Sequence, residues 1–232
     1  MPVFLLGENS HFPPAELATA EGVVAVGGDL SPRRLIRAYA HGIFPWFSEE
    51  GPIIWWSPDP RLVLFPDEVH ISKSMRQVIN KNQFRVTLDQ NFAQVVENCR
   101  RPRKGDEGTW ITDEMAEAYC RLHHRGYAHS VEVWQGNRLA GGLYGVSLGR
   151  CFFAESKYYS VSNASKFALI WLARMLKRLE FPIMDCQVSS DHVKSLGARD
   201  VSRDEFMEIL IKAFRKPTLR GDWGRLIEGT SL

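Results

Sequence analysis

Apolar positions along this chain change their period several times, and each change marks an element. Over 163–179, Ala168, Leu169, Leu172, Leu176 and Leu179 recur three and four residues apart, the spacing of one helix face. Asn163 stands where an N-cap belongs, with Ser165 and Lys166 in the first turn. The next run, 183–187, alternates as a short strand does, which puts Asp185 and Gln187 on one face and Cys186 on the other. Phe152 and Phe153 lead a β-forming run that ends by delivering Glu155 to the rim of a sheet. Upstream, 61–65 and 84–88 read as strands, while Ser72, Asn91 and Thr112 open helices that run to about Lys81, Arg100 and Gly126. Residues 129–135 and 138–147 form a hairpin across Gly136 and Asn137. Ser202 caps a last helix with Phe206, Ile209, Leu210, Ala213 and Phe214 on its apolar side, and the polar tail from Arg215 is expected to be mobile.

The first 60 residues are denser in turn formers: Pro13-Pro14, Gly27-Gly28, Pro45, Gly51-Pro52 and Ser57-Pro58. One helix stands out there, with Ser31 as cap, Pro32 in the first position and Gly42 closing it. Phe44, Trp46, Phe47, Trp55 and Trp56 crowd around it, either as a small core or, for Trp46 in its loop after Pro45, as a platform for a nucleic-acid base. The expected organisation is a small aromatic-rich N-terminal domain over 1–60 and an α+β (mixed α/β) domain over 61–232.

A length of 232 residues with 44% hydrophobic content suffices for a proper core. No apolar run approaches the roughly 18 to 20 residues of a membrane span, and the start lacks a signal-peptide pattern, so the expected location is the cytoplasm with no membrane partner. Four cysteines without CxxC spacing point away from structural zinc and disulfides. A Cys186–His192 nucleophilic pair is disfavoured by the strand pattern, which turns Cys186 from the face of Asp185 and Gln187. The net charge of +2 announces no polyanion partner, but cations cluster at Arg33, Arg34 and Arg37, at Lys73, Arg76, Lys81 and Arg85, and at Arg100, Arg101, Arg103 and Lys104. Lys73, Arg76 and Gln77 share one helix face, a solvated face or a phosphate-binding one.

Glu155, Ser160, Asn163, Ser165, Asp185, Gln187, Ser190 and His192 all lie at ends of elements in one unit, where ligands tend to bind. The plainer alternative is that they satisfy nearby backbone. Trp110, beside the charged loop and just before Thr112, suits either the core or stacking on an unpaired base. Gly141, Gly142, Gly145 and Gly149 allow close approach of backbone or ligand to the sheet.

The segments GGDL (27–30), GIFPWF (42–47), WWSPDPR (55–61), EGTWIT (107–112), HSVEVW (129–134), GGLYGV (141–146), NASK (163–166), DCQ (185–187) and SLGA (195–198) together resemble the leucyl/phenylalanyl-tRNA–protein transferases, in that family's order. The resemblance implies a fold of the GCN5-related N-acetyltransferase type and transfer of leucine or phenylalanine, with methionine as a further donor residue, from aminoacyl-tRNA to proteins beginning with Arg or Lys, marking them for N-degron degradation. The expectation is a monomer, and an ester donor that is already activated calls for neither cofactor nor metal. Asp185 and Gln187, on one strand face, are the candidate catalytic pair, and Glu155 matches the family's acidic contact for the acceptor, with Ser190 beside it. Trp46, Trp110, Leu143, Phe152, Leu169, Leu172 and Ile183 would hold the aminoacyl-adenosine end, and Lys73, Arg76 and Lys81 the tRNA backbone. The departures are Lys157 for Met, Ala154 for Gly and Ser190 for Asn, which bear on the choice between leucine and phenylalanine.

An acetyl-CoA reading fails on the sequence, which has no Q/R-x-x-G-x-G/A run to hold a pyrophosphate. An aminoacyl ester is already activated, so the protein must hold the carbonyl, help deprotonate the amine and exclude water. Asp185 would orient Gln187, whose side-chain oxygen would accept from the incoming amine. Two alternatives remain at this level: a non-catalytic RNA-binding module, which would not need Asp185 and Gln187, and a transferase acting on a non-protein amine, which would not need Glu155.

Overall fold

Two sheets divide the polypeptide between residues 56 and 61. The computed structural model describes residues 3–8, 10–101 and 110–227; Arg103, Lys104 and the first half of the EGTWIT segment lie outside them. The N-terminal sheet holds β1 (Phe4–Leu6), β2 (Val23–Gly27), β3 (Phe44–Pro45) and β4 (Ile54–Trp56) in the order β1-β2-β4-β3. Between β2 and β3 runs α1 (Pro32–Ala40), whose first turn is closed by Ser31 Oγ accepting from the Arg34 amide. Phe44, Phe47 and Trp55 are buried in this part, whereas Trp46 is 41% exposed and leans on Trp56 at 5.6 Å. Arg34 is buried too, bonded to Asp29 and to the carbonyls of Gly7, Glu8 and Ser10, so this member of the first basic cluster ties the chain together.

The larger sheet has seven strands. In chain order, β5 (Arg61–Leu64) leads to α2 (Lys73–Asn80), β6 (Arg85–Leu88), α3 (Phe92–Arg100) and α4 (Asp113–His124). The long hairpin β7 (Ala128–Gln135) and β8 (Arg138–Leu148) follows, then β9 (Cys151–Tyr159), α5 (Ala164–Arg178), β10 (Ile183–Gln187), α6 (Asp191–Lys194), β11 (Arg199–Val201) and α7 (Arg203–Ala213). The spatial order is β11-β5-β10-β9-β8-β7-β6, with β9 and β10 parallel and every other neighbouring pair antiparallel. This is the mixed α/β class expected from the element order.

Strand alternation sorts the core onto two faces. Val63, Tyr144, Phe153 and Ile183 meet α1, α3, α4 and α7 on one, while Leu62, Leu143, Phe152 and Met184 meet α2, α5 and α6 on the other. Three expectations are corrected. Asn163 sits at φ +69 and makes no side-chain capping bond; α5 starts instead with its carbonyl accepting from Phe167 at 2.8 Å. Glu155 lies within β9 rather than at its end. The segment 215–227 is fastened across the molecule: Thr218 Oγ1 accepts from the Gly149 amide, Arg220 donates to the Arg125 carbonyl, and Trp223 is buried on His129, ring to ring at 4.0 Å. An indole driven into the core outweighs the polarity of its neighbours.

Candidate active site

The parallel pairing of β9 with β10 ends at Phe153 and Asp185. Beyond that point both strands continue without backbone pairing to each other, and a cavity of about 110 Å³ opens between them. Its walls include Glu155 and Lys157 from β9, Cys186 and Gln187 from β10, and Leu143, Leu169 and Val193 from the flanking elements, with Ser190 at its side.

Two irregularities aim the polar groups. Tyr144 pairs with Ser156 and Gly145 with Ala154, so Glu155 is the extra residue of a bulge on β9. The bulge needs Gly145: a Cβ there would stand 2.2 Å from the Phe153 carbonyl oxygen. On β10 the register shifts between Asp185 and Gln187, and Gln187 adopts φ +63, a left-handed conformation that a side-chain residue keeps only under constraint. The constraint is visible: the Gln187 amide donates to Asp185 Oδ1 at 2.9 Å, and the Gln187 Nε2 donates to Glu155 Oε1 at 2.8 Å.

Glu155 is 8% exposed and takes two further bonds, from the Tyr39 hydroxyl to Oε1 at 2.8 Å and from the Tyr119 hydroxyl to Oε2 at 2.6 Å. Burial pushes its carboxyl up to about 7, with Tyr119, Tyr39 and Gln187 pulling the other way and Asp185 adding repulsion. Both tyrosines are driven well above their ordinary range by burial and by the Glu155 charge, so they remain donors at neutral pH. Sequence reasoning missed Tyr39 and Tyr119; the YAHGIF and AYC contexts carry no signal beyond apolar helix periodicity.

The expected strand alternation fails at this site. Asp185 is fully buried, bound at both carboxylate oxygens by Arg61, and does not line the cavity; β10 is an interior strand, not an edge. Because the bulge takes up Cys186, this thiol faces the same cavity as Gln187. Burial and the Asp185 charge push it up to about 12, which leaves it a poor nucleophile. Of the apolar residues expected in the pocket, Leu143 and Leu169 line it, whereas Phe152, Leu172 and Ile183 are packed in the core with no exposed surface. Trp110 is half-buried against the face that holds α4, and neither it nor Trp46 lines this cavity. Lys73 and Arg76 are exposed on α2, and Lys81 is exposed at its C-cap. Among the described residues no group of three His, Cys, Asp or Glu side chains is disposed to hold a metal ion, and no helix is long and apolar enough to cross a membrane.

Matches to known proteins extend over most of the chain. The family model described as leucyl/phenylalanyl-tRNA protein transferase matches residues 63–211, and that family's N-terminal domain matches residues 28–59. A leucyl/phenylalanyl-tRNA–protein transferase of Syntrophus aciditrophicus (strain SB) is 56% identical over 224 residues, covering 96% of this chain and 94% of its own length. One from Flavobacterium johnsoniae is 54% identical over 209 residues, covering 90% of this chain and 99% of its own. Among solved structures, that of L-PGS from Bacillus licheniformis aligns at a TM-score of 0.39 and 10% identity, over 72% of this chain and 53% of that one, too remote to bear on activity.

Proposed function

Because this chain belongs to the leucyl/phenylalanyl-tRNA–protein transferase family, we propose that it moves leucine or phenylalanine from aminoacyl-tRNA to the α-amine of proteins that begin with Arg or Lys. The observation that carries the reading is the hold on Gln187: its backbone N–H donates to Asp185 and its side-chain Nε2 to Glu155, and the side chain so placed forms the wall of a cavity whose other surfaces include Leu143, Leu169 and Val193.

In this scheme the transferred side chain sits on the apolar wall and the ester carbonyl lies against Gln187. With its Nε2 engaged by Glu155, the Gln187 side-chain oxygen is the group that accepts from the attacking amine and lines it up. The amine nitrogen bonds to the ester carbon, the bond to the ribose oxygen breaks, and that oxygen leaves with a proton. Glu155 serves the acceptor: a desolvated carboxylate attracts a basic N-terminal residue, and a carboxyl poised near neutrality is matched to taking a proton from an ammonium. Tyr39 and Tyr119 hold Glu155 in place. Trp46, exposed in the N-terminal part, and Trp110 are candidates to stack on the terminal adenosine. Action as a monomer in the cytoplasm belongs to the same proposal, as does the 1–60 and 61–232 division of labour. The test is to supply labelled Leu-tRNA or Phe-tRNA and a peptide beginning with Arg: label should enter the peptide, and a background-level result would overturn the reading.

A further inference from the structure

Two segments that build one face of this protein carry cations and no carboxylate. Residues 71–88 hold Lys73, Arg76, Lys81 and Arg85, residues 164–179 hold Lys166, Arg174, Lys177 and Arg178, and neither stretch contains Asp or Glu. A solubilising surface interleaves both signs and supports its helices with i,i+4 ion pairs. In a chain whose net charge is only +2, this is a marked local excess.

The two segments meet around a cavity of about 170 Å³, walled by Ile79 and Phe84 on one side and by Phe167, Trp171 and Arg174 of α5 on the other. Phe84 and Phe167 pack at 5.3 Å and form an aromatic floor. Phe167, Trp171, Arg174 and Arg178 recur at four, three and four residues, so they share one face of α5; the first three are half-buried and Arg178 is exposed. Aromatic rings between arginines make a surface that takes a sugar–phosphate backbone and the bases or sugars it carries.

We propose that this groove is an RNA-binding surface continuous with the basic face of α2, holding the backbone of the donor tRNA with Arg174 and Arg178 on phosphates and Trp171 against a sugar or base. The proposal rests on the aminoacyl-tRNA reading above and places a second stretch of the donor. The geometry suits that role, because α5 turns Leu169 to the aminoacyl cavity and the groove to its opposite side, so bound RNA is separated from the reacting ester by about one helix diameter, roughly 10 Å.

Binding is measured with uncharged tRNA by titration at several salt concentrations, for the unaltered protein, for Arg174→Gln with Arg178→Gln, for Arg174→Glu and for Trp171→Leu. The double variant should bind about tenfold more weakly at 0.1 M salt, with the slope of log affinity against log salt shallower by about 1.5, as loss of two phosphate contacts requires. Arg174→Glu should weaken binding further, and Trp171→Leu should weaken it without changing the slope. Transfer is followed in parallel from Leu-tRNA and from leucyl-adenosine, a donor with no backbone to hold. The variants should lower kcat/KM for the first and leave the second unchanged. Unchanged affinity and slope would overturn the proposal, as would an equal loss with both donors, or competition by polyglutamate but not by tRNA. If the unaltered protein transferred from neither donor, the transferase reading would fall, while the binding titration would still decide the groove.

Discussion

Arg61 grips Asp185 through both ends of its guanidinium, Nε to Oδ1 at 2.8 Å and Nη2 to Oδ2 at 2.6 Å, with both side chains essentially sealed from solvent. The guanidinium is also packed between Phe44 at 4.8 Å and Phe206 at 4.6 Å, and its Nη1 donates to the Gly42 carbonyl at 3.2 Å. A link therefore runs from the N-terminal part through Arg61 and Asp185 to the strained Gln187. Removing one member, as in Arg61→Met, leaves a buried carboxylate without its cation and should destabilise the fold by about 3 to 5 kcal/mol. Replacing both, Arg61→Met with Asp185→Leu, should recover much of that loss but not transfer, because the Gln187 amide then has no acceptor. Urea unfolding and kcat/KM measured on the same preparations check this; full activity in the double variant would contradict it.

Glu155 should leave a signature in the pH dependence of stability. Its carboxyl is raised from 4.5 to about 7, so between those values the folded protein holds a proton that the unfolded chain has released. The stability contributed by this group is complete below pH 4.5 and is lost as pH rises through 7, by about 3 kcal/mol in all at 1.36 kcal/mol per unit. Glu155→Gln cannot titrate and should lose less stability than the unaltered protein between pH 5 and pH 8. Parallel loss in the two proteins, followed by chemical unfolding at each pH, would contradict the assignment.

Leu143 is 2% exposed and lines the small cavity, so it should set the size of the side chain that fits. Leu143→Ala should shift the ratio of kcat/KM for Phe-tRNA over Leu-tRNA upward by about tenfold or more, since a few methylenes of pocket volume are worth about 1 to 3 kcal/mol. A stability loss of about 2 to 5 kcal/mol is expected alongside. An unchanged ratio in competition between the two donors would place the transferred side chain elsewhere.

The C-terminal segment should behave as part of the core. Trp223 is 1% exposed, stacked on His129 and in contact with Phe152 and Phe181, and its amide donates to Asp89 Oδ2 at 2.8 Å. Trp223→Ala should cost about 3 to 5 kcal/mol in urea unfolding. A chain truncated after Arg215 that unfolds at the same urea concentration as the full chain would contradict this.

What the sequence discloses here is local, and what it conceals is long-range. Ser31, Ser72, Thr112 and Ser202 cap their helices because each hydroxyl reaches an amide only three residues away. Asp185, Gln187 and Glu155 could be picked out as polar groups in apolar runs. Their geometry could not, because alternation is the only rule a strand sequence supplies and both strands break it, at the Glu155 bulge and at the shift before Gln187. Tyr39 and Tyr119 reach Glu155 across 116 and 36 residues, and Arg61 reaches Asp185 across 124, separations at which no spacing pattern operates. Trp223 sits in a polar stretch, so composition hid it.

Transfer should depend most on Gln187, and the length of this side chain offers the sharpest probe. Asn tolerates a positive φ, so Gln187→Asn should keep the backbone and the fold while drawing the amide back by one methylene. Single-turnover transfer of labelled leucine from Leu-tRNA to a peptide beginning with Arg should then proceed at least about a hundredfold more slowly than with the unaltered protein, at equal tRNA affinity, as misplacement by about 1 Å predicts. Transfer at the original rate would contradict the claim that this amide aligns the attacking amine.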